Sequence, residues 1–177
     1  MATERELLGA RLFFRAVFPV IKVILQDDPK MKKKFKDVKA EIQFIAKDES
    51  GPVGAWLIFS NGEFNVEYGV CQNPDITFSF NSVKKMNDML AGKPVLPSIK
   101  GLTKISLLFK ILSLLLSLKI LMPNARPKDK MKKNLKVKLS FYMVTTALSQ
   151  YNKGGDPDMV KWTTKQPDRI YQISVDG

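Results

Sequence analysis

The side chains that most often carry catalysis are scarce in this sequence. It has no histidine, which excludes Ser–His–Asp and Cys–His catalysis as well as histidine metal ligands. Its one cysteine, Cys71, stands between a strand-like run and Pro74, where a small packing residue is expected. The carboxylate pairs Asp27–Asp28 and Asp156–Asp158 lie beside prolines and are typical of caps and turns. These residue types predict a protein that is not an enzyme and that needs no metal or cofactor.

Glycine-rich loops that cradle phosphates are also missing from the sequence pattern. The segment GPVGAWL, which begins at Gly51, has neither Walker nor dinucleotide-binding spacing. A single cysteine favours a reducing compartment, and Glu4 and Glu6 stand where a signal peptide would carry positive charge. The sequence therefore predicts a cytoplasmic protein.

The charge of the chain is strongly positive. The formal net charge is +12, with 24 lysines against 5 arginines, and lysines cluster at Lys30–Lys39 and Lys128–Lys138. A flexible ammonium suits a diffuse anionic surface, whereas arginine suits bidentate reading of nucleic acid. We therefore expect these two runs to make peripheral contact with an anionic membrane, and we expect no nucleic-acid partner. A solvated basic rim without a partner is the alternative.

The first elements are a helix and a group of strands. Thr3 with Glu6 predicts a capping box for a long amphipathic helix that is interrupted at Pro19 and ends at the sequence DDP. Strict alternation then predicts a strand over 38–46, followed by strands in VGAWLIFS, EFNVEYGV and ITFSF. Asn61–Gly62 predicts a hairpin turn between the second and third strands. We expect the four strands to be mostly antiparallel, to lie in chain order, and to be covered on one face.

The second half of the chain predicts further helices. Ser82 caps a short helix that ends near Gly92, and PVLPSIKG is expected to form a fifth, edge strand because prolines are confined to sheet margins. LSFYMVTTALSQY has a helical pattern, and DRIYQISVDG at the end of the chain alternates like a strand.

The segment GLTKISLLFKILSLLLSLKILM, residues 101–122, is the most apolar part of the chain. As a helix it would be about 30 Å long, enough to cross a bilayer, but Lys110 near its centre, the serines and Lys119 together bring the insertion free energy close to zero. A narrow polar seam at helical spacing, expected to face water, argues for a helix that lies on the sheet. The seam residues are Thr103, Ser106, Lys110, Ser113 and Ser117. Its wide apolar face is then either protein core or the cover of an apolar ligand.

The middle of the chain resembles the sterol carrier protein 2 (non-specific lipid-transfer) family. The residues that carry the resemblance are NPDITFSFNSVKKMNDMLAGK, Asn73 to Lys93, then SIKG at Ser98 to Gly101, then the Leu-rich helix. The similarity extends over roughly residues 5 to 122. The paired prolines of PVLPSIKG and the very apolar helix depart from the family pattern.

The resemblance implies an α/β (α+β) fold in which helices cover one face of a five-stranded, mainly antiparallel sheet. It also implies a soluble lipid-binding or lipid-transfer protein that holds a fatty acid, acyl-CoA, sterol or phospholipid in an apolar tunnel between sheet and helices. We expect residues 1–122 to form this lipid-binding domain and 123–177 a C-terminal extension, helix plus strand, packed on it. The residues expected to line the tunnel are Phe44, Leu57, Phe59, Val66, Phe78 and Phe80 from the strands and Leu108, Leu112 and Leu115 from the helix at 102–121.

Two other functions stay open at this stage. The protein could be a membrane-associated accessory protein anchored through the Leu-rich helix at 102–121. It could also be a domain that acts on acyl-CoA or another acidic substrate, although no catalytic constellation is visible.

Overall fold

The computed structural model describes residues 1–154 and 157–167. Five strands form one sheet: β1 (Lys39–Ala46), β2 (Val53–Ser60), β3 (Glu63–Tyr68), β4 (Ile76–Phe80) and β5 (Ser98–Lys100). Seven α-helices are described: α1 (Glu4–Leu12), α2 (Ile21–Asp27), α3 (Pro29–Phe35), α4 (Val83–Leu90), α5 (Ile105–Ser117), α6 (Lys130–Lys153) and α7 (Pro157–Thr164). The predicted fold class, a mixed α/β protein with a five-stranded sheet, is confirmed.

The sheet has the spatial order β3-β2-β1-β4-β5. β1–β2, β2–β3 and β4–β5 are antiparallel, whereas β1 and β4 are parallel, with Phe44 opposite Phe78. The expectation that the strands lie in chain order is therefore wrong at β4, which pairs with β1 and not with β3. The predicted hairpin at Asn61–Gly62 is confirmed, with φ of 50° and 93° at these two residues.

The N-terminal helical segment is irregular where Pro19 requires it. Thr3 and Glu6 form the expected capping box at the start of α1. A π-helical turn (Phe13–Val17) and a 3-10 turn (Phe18–Val20) then separate α1 from α2. Pro19 has no N–H to donate to the carbonyl of Arg15, so the regular α-helical ladder cannot continue through this point. The N–H of Phe18 instead donates to the carbonyl of Phe13, five residues back.

The core lies between one face of the sheet and the helices. Phe44 of β1, Leu57 of β2 and Phe78 of β4 point inward and are at most 2% exposed. The Phe44 and Phe78 rings stack at 4.8 Å between centroids, and Phe18 from the 3-10 turn packs on Phe44 at 5.0 Å. Such close aromatic contacts fix the helical layer over the centre of the sheet.

The C-terminal helices differ in part from the expectation. Asp129 caps α6, which begins inside the second lysine run and is longer than the predicted helix, and Leu135 and Leu139 of α6 are buried in the same core as the sheet. α7 begins at Pro157, because proline is well suited to the first position of a helix. The predicted C-terminal strand with Tyr171, Ile173 and Val175 lies outside the described residues.

Candidate functional site

α5 is the centre of the candidate site. It begins at Ile105, later than predicted, and its last turn, Leu118–Leu121, is a 3-10 turn. Ile111 and Leu114 are fully buried, and Leu107 and Leu118 beside them pack against the core. These four residues recur at helical spacing and form the face that anchors α5.

The polar seam faces water only in part, since Thr103 and Ser106 are exposed and the other three residues are not. Lys110, Ser113 and Ser117 are half-buried along one flank of the helix, whereas Phe109 is 65% exposed. The expectation holds only at Thr103 and Ser106, because α5 is apolar on more than one side. A helix can turn only one side to the core, so the remaining apolar residues stay outside whichever flank the seam takes.

A pocket of about 510 Å³ lies beside the anchored face of α5, among the helices. Its walls come from α5 and its 3-10 turn, the π-helical turn, the end of α4 and one residue of α6. The lining is almost wholly apolar, with Lys119 at its edge. We call this the α5 pocket, and its lining residues are Phe13, Val17, Met89, Leu90, Ala91, Gly92, Leu112, Leu115, Leu116, Leu118, Lys119, Leu121, Met122 and Met143.

Several residues of the pocket wall lie in segments with irregular backbone. Phe13 and Val17 are the first and last residues of the π-helical turn, a feature often found at functional sites. The loop after the 3-10 turn is held by Lys136, whose Nζ donates to the carbonyl oxygens of Met122 at 3.2 Å and Ala125 at 2.6 Å. This lysine is therefore a structural part of the site and not only a surface charge.

A second recess of about 550 Å³ adjoins the α5 pocket and shares Leu116 and Lys119 with it. Its cationic side chains come from four elements or loops and outnumber its single acid, Asp28. We call it the basic recess, and its cationic residues are Lys30, Lys119, Arg126 and Lys132. The Asp28 carboxylate is partly engaged, since it accepts hydrogen bonds from the N–H groups of Lys30 and Met31 at 2.9 and 3.2 Å. The two depressions together place an apolar space beside a positively charged one.

The nine predicted lining residues fall into two places. Leu112 and Leu115 line the α5 pocket, and Leu108 packs partly buried against the core. The six strand residues Phe44, Leu57, Phe59, Val66, Phe78 and Phe80 lie in the core at 0–9% exposure, and none of them lines the α5 pocket. A ligand contact for any of the nine stays a prediction.

Sequence reasoning missed most of the pocket. Phe13, Val17, Met89 and Met143 looked like ordinary apolar residues of amphipathic helices. The one available signal was the methionine at three wall positions, because methionine is flexible and suits surfaces that must accommodate different shapes.

The two lysine runs have different settings. Lys30–Lys39 contains most of α3, where the lysines are exposed and Phe35 is buried. Lys128–Lys138 forms the first turns of α6, where Lys138 pairs with Asp27 at 2.5 Å. Each run contributes one side chain to the basic recess, Lys30 from the first run and Lys132 from the second.

The ionisable groups on the outer face of the sheet form a separate cluster. Burial and a hydrogen bond to Glu41 Oε2 at 2.9 Å raise the pKa of the Cys71 thiol, which makes it a poor nucleophile. The open depression beside it, about 990 Å³, has mixed polar and apolar walls and does not share residues with the α5 pocket. Within residues 1–154 and 157–167, no group of three or more His, Cys, Asp and Glu side chains could hold a metal ion.

Fold and pocket define an α+β protein with a helix-lined apolar pocket. The chain is similar to a solved structure described as the solution structure of the sterol carrier protein domain 2 of Helicoverpa armigera, at 18% identity and a TM-score of 0.43. The match covers 60% of this chain and 90% of that one, so the similarity is distant. No protein-family model matches the sequence, and no curated relative matches it. In the described part of the chain, no helix combines the length and apolar character needed to cross a membrane.

Proposed function

We propose that the protein is a soluble lipid carrier that holds one single-chain lipid in the α5 pocket. The observation that carries the proposal is the lining of this pocket, which is Leu, Met, Phe and Val apart from Ala91, Gly92 and Lys119. Its volume of about 510 Å³ lies in the range of small-molecule sites, which are mostly apolar with few polar groups. A hydrocarbon chain is the ligand that such walls bind best, because they offer burial and almost no hydrogen bonds.

The basic recess supports an anionic head group on that lipid. Lys119 borders both depressions, and Arg126 and Lys132 line the recess but not the α5 pocket. A chain in the α5 pocket would bring its carboxylate or phosphate to these cations, where charge-assisted hydrogen bonds form. Fatty acids and acyl-CoA fit this arrangement better than sterols, whose single hydroxyl gains little from cations.

Binding without catalysis is part of the proposal. The chain has no histidine, and the cysteine lies outside the α5 pocket with a raised pKa. Lys119 is the one charged side chain of the pocket lining, and it has no general acid or base beside it in that lining.

Filling the pocket tests the proposal. Ala91 is an exposed residue of the pocket lining directly after α4, so Ala91→Phe adds a ring at the rim of the pocket and should weaken fatty-acid binding by at least about tenfold. Displacement of a fluorescent fatty acid measures the affinity. Ala147→Phe, at a half-buried position of α6 outside the lining, is the control and should bind like the wild type.

Three results would contradict the pocket, the carrier function and the head-group contact, respectively. Equal fatty-acid affinity of the wild type and Ala91→Phe would show that the lipid does not bind in the α5 pocket. A wild-type protein that binds neither fatty acid nor fatty alcohol, and that shows no lipid in native mass spectrometry, would end the carrier proposal. Equal affinity for a fatty acid and for the alcohol of the same chain length would remove the head-group contact with Lys119, Arg126 and Lys132.

A membrane-associated accessory protein attached through residues 102–121 is the second candidate. The observation in its favour is the exposure of Ile105, Phe109 and Leu116 on α5. Membrane fractions separate the two functions, because a carrier is released by a high-salt wash and a protein anchored in the bilayer is not.

A further inference from the structure

α5 presents a continuous apolar stripe to the outside. Ile105 is 59% exposed, Phe109 65%, Leu112 37% and Leu116 58%. Their spacing of four, three and four residues places all four on one side of the helix, away from the buried Ile111 and Leu114. Exposed large apolar residues in one contiguous patch mark an interaction surface. We call these four residues the α5 stripe.

The chain segment that carries the α5 stripe is strongly basic, and three of its lysines, Lys93, Lys104 and Lys138, pair with acids of residues 1–88. Residues 89–128 contain no Asp or Glu, and residues 89–153 contain thirteen Lys and Arg side chains with one acid, Asp129. The net charge of this segment is therefore +12, equal to that of the whole chain. Residues 1–88, which include β1 to β4, are nearly balanced. An apolar stripe set in an acid-free, basic segment is complementary to a surface that is both apolar and negative, which is the interface of a membrane with anionic lipids.

The stripe is continuous with the α5 pocket. Leu112 and Leu116 belong to both, and Leu116 also borders the basic recess. The outer end of the pocket is therefore formed by the same side chains that the stripe exposes. Ile105 and Phe109, by contrast, belong to the stripe and not to the pocket lining.

We propose that the α5 stripe docks on anionic membranes, so that the α5 pocket opens against the bilayer and a lipid passes between them without crossing water. The exchange step rests on the proposed lipid-carrier function, whereas the docking step does not. Docked in this way, α5 lies in the interfacial plane with its apolar side in the acyl region, and the surrounding lysines contact the anionic head groups. Desolvation of a hydrocarbon chain is costly, so a mouth lined by Leu112 and Leu116 at the bilayer lowers the barrier to transfer.

A bilayer-spanning α5 is a poorer fit to the same residues. Its helix is thirteen residues, followed by a 3-10 turn, and Lys110 would lie in the hydrocarbon. A second copy of the chain is a poorer fit as well, because two segments of +12 would face each other across the interface.

The test removes the two stripe residues that lie outside the pocket lining. The double variant Ile105→Ser/Phe109→Ser changes two exposed side chains outside the pocket lining. Its affinity for phosphatidylcholine vesicles that contain phosphatidylserine, measured by co-flotation, should fall by at least about tenfold relative to the wild type. Phe141→Ser is the matched control, because Phe141 is 41% exposed on α6 and does not line the pocket. It should bind vesicles like the wild type.

Three outcomes would overturn the proposal that α5 docks on membranes. These outcomes are a wild type that does not bind the anionic vesicles, a double variant that binds them as well as the wild type, and equal losses in the double variant and Phe141→Ser. A wild-type dimer that the double variant converts to a monomer in light scattering would assign the stripe to a second copy.

Fatty-acid binding measured without vesicles distinguishes the lipid-carrier proposal from the membrane-docking proposal. Without vesicles, the double variant should bind a fluorescent fatty acid as the wild type does, but transfer it to anionic vesicles at least about tenfold more slowly. A wild type that binds no fatty acid ends the carrier function and the exchange step, while the vesicle affinities still decide the docking step.

Discussion

At the scale of single residues, Asp75 connects the sheet to the start of the candidate site. It precedes β4, accepts a hydrogen bond from the N–H of Glu41 in β1 at 2.7 Å, and pairs with Lys104, the residue before α5. Burial raises the pKa of Asp75, but the hydrogen bonds from Lys104 and from the Glu41 backbone outweigh it and hold the pKa below its ordinary value. The folded protein therefore favours the charged carboxylate.

The lowered pKa predicts how stability depends on pH. A carboxylate whose pKa is lowered by folding stabilises the protein above its unfolded value of about 3.9, and this contribution is lost as the pH falls through the folded pKa. Asp75→Asn should cost about 1 kcal/mol of unfolding free energy at neutral pH and lose less stability than the wild type below about pH 4. Urea unfolding of both proteins at neutral and acidic pH measures this difference. Identical pH profiles would show that Asp75 is not a source of acid sensitivity.

At the scale of elements, Gly101 allows the chain between β5 and α5 to pass close to the backbone at the start of β4. Its φ is +87°, and a Cβ at this position would lie 2.1 Å from the carbonyl oxygen of Asp75. The segment between β5 and α5 therefore passes directly over the start of β4, and this close approach fixes where α5 begins.

Gly101→Ala should destabilise the protein by about 3 kcal/mol, because the backbone must move or accept both the clash and the left-handed φ. Gly51→Ala is the control, since Gly51 has a φ of +119° but no atom within 4 Å of the added Cβ. It should cost about 1 kcal/mol, from backbone strain alone. Thermal or urea unfolding gives both values, and equal losses in the two variants would contradict the close approach.

At the scale of the whole molecule, the balanced sheet half and the basic half at 89–153 differ in their expected roles. Both lysine runs are expected to contact anionic membranes, and each contributes one residue to the basic recess, but only Lys128–Lys138 belongs to the half with the net charge. This asymmetry gives the molecule a preferred side toward a negative surface.

Matched charge removals test that preference. Lys132→Gln/Lys133→Gln should weaken binding to anionic vesicles by roughly fivefold per lysine in contact and should reduce its salt dependence. Lys33→Gln/Lys34→Gln in α3 removes the same charge and should have the smaller effect. Sedimentation with vesicles over a range of salt concentrations measures both. A larger loss from the α3 variant would place the membrane-facing side at the first lysine run.

The local structure of this protein could be predicted from sequence because it depends on neighbours in the chain. The capping box at Thr3, the break at Pro19, the turn at Asn61–Gly62 and the strand Ile76–Phe80 each follow from side-chain periodicity or backbone chemistry within a few residues. The long apolar surface of residues 105–121 was visible in the same way. Periodicity shows which sides of an element are apolar.

Only the tertiary structure decides what each apolar side meets. It pairs β4 with β1, turns Ile111 and Leu114 of α5 to the core, and leaves Phe109 outside. It also places the α5 pocket among helices, where the π-helical turn and Met143, far apart in the chain, become neighbours. The physical reason is that burial is non-directional: Phe44 and Phe109 are equally apolar, and the choice between core, pocket and outer surface depends on which residues distant in the chain pack against each.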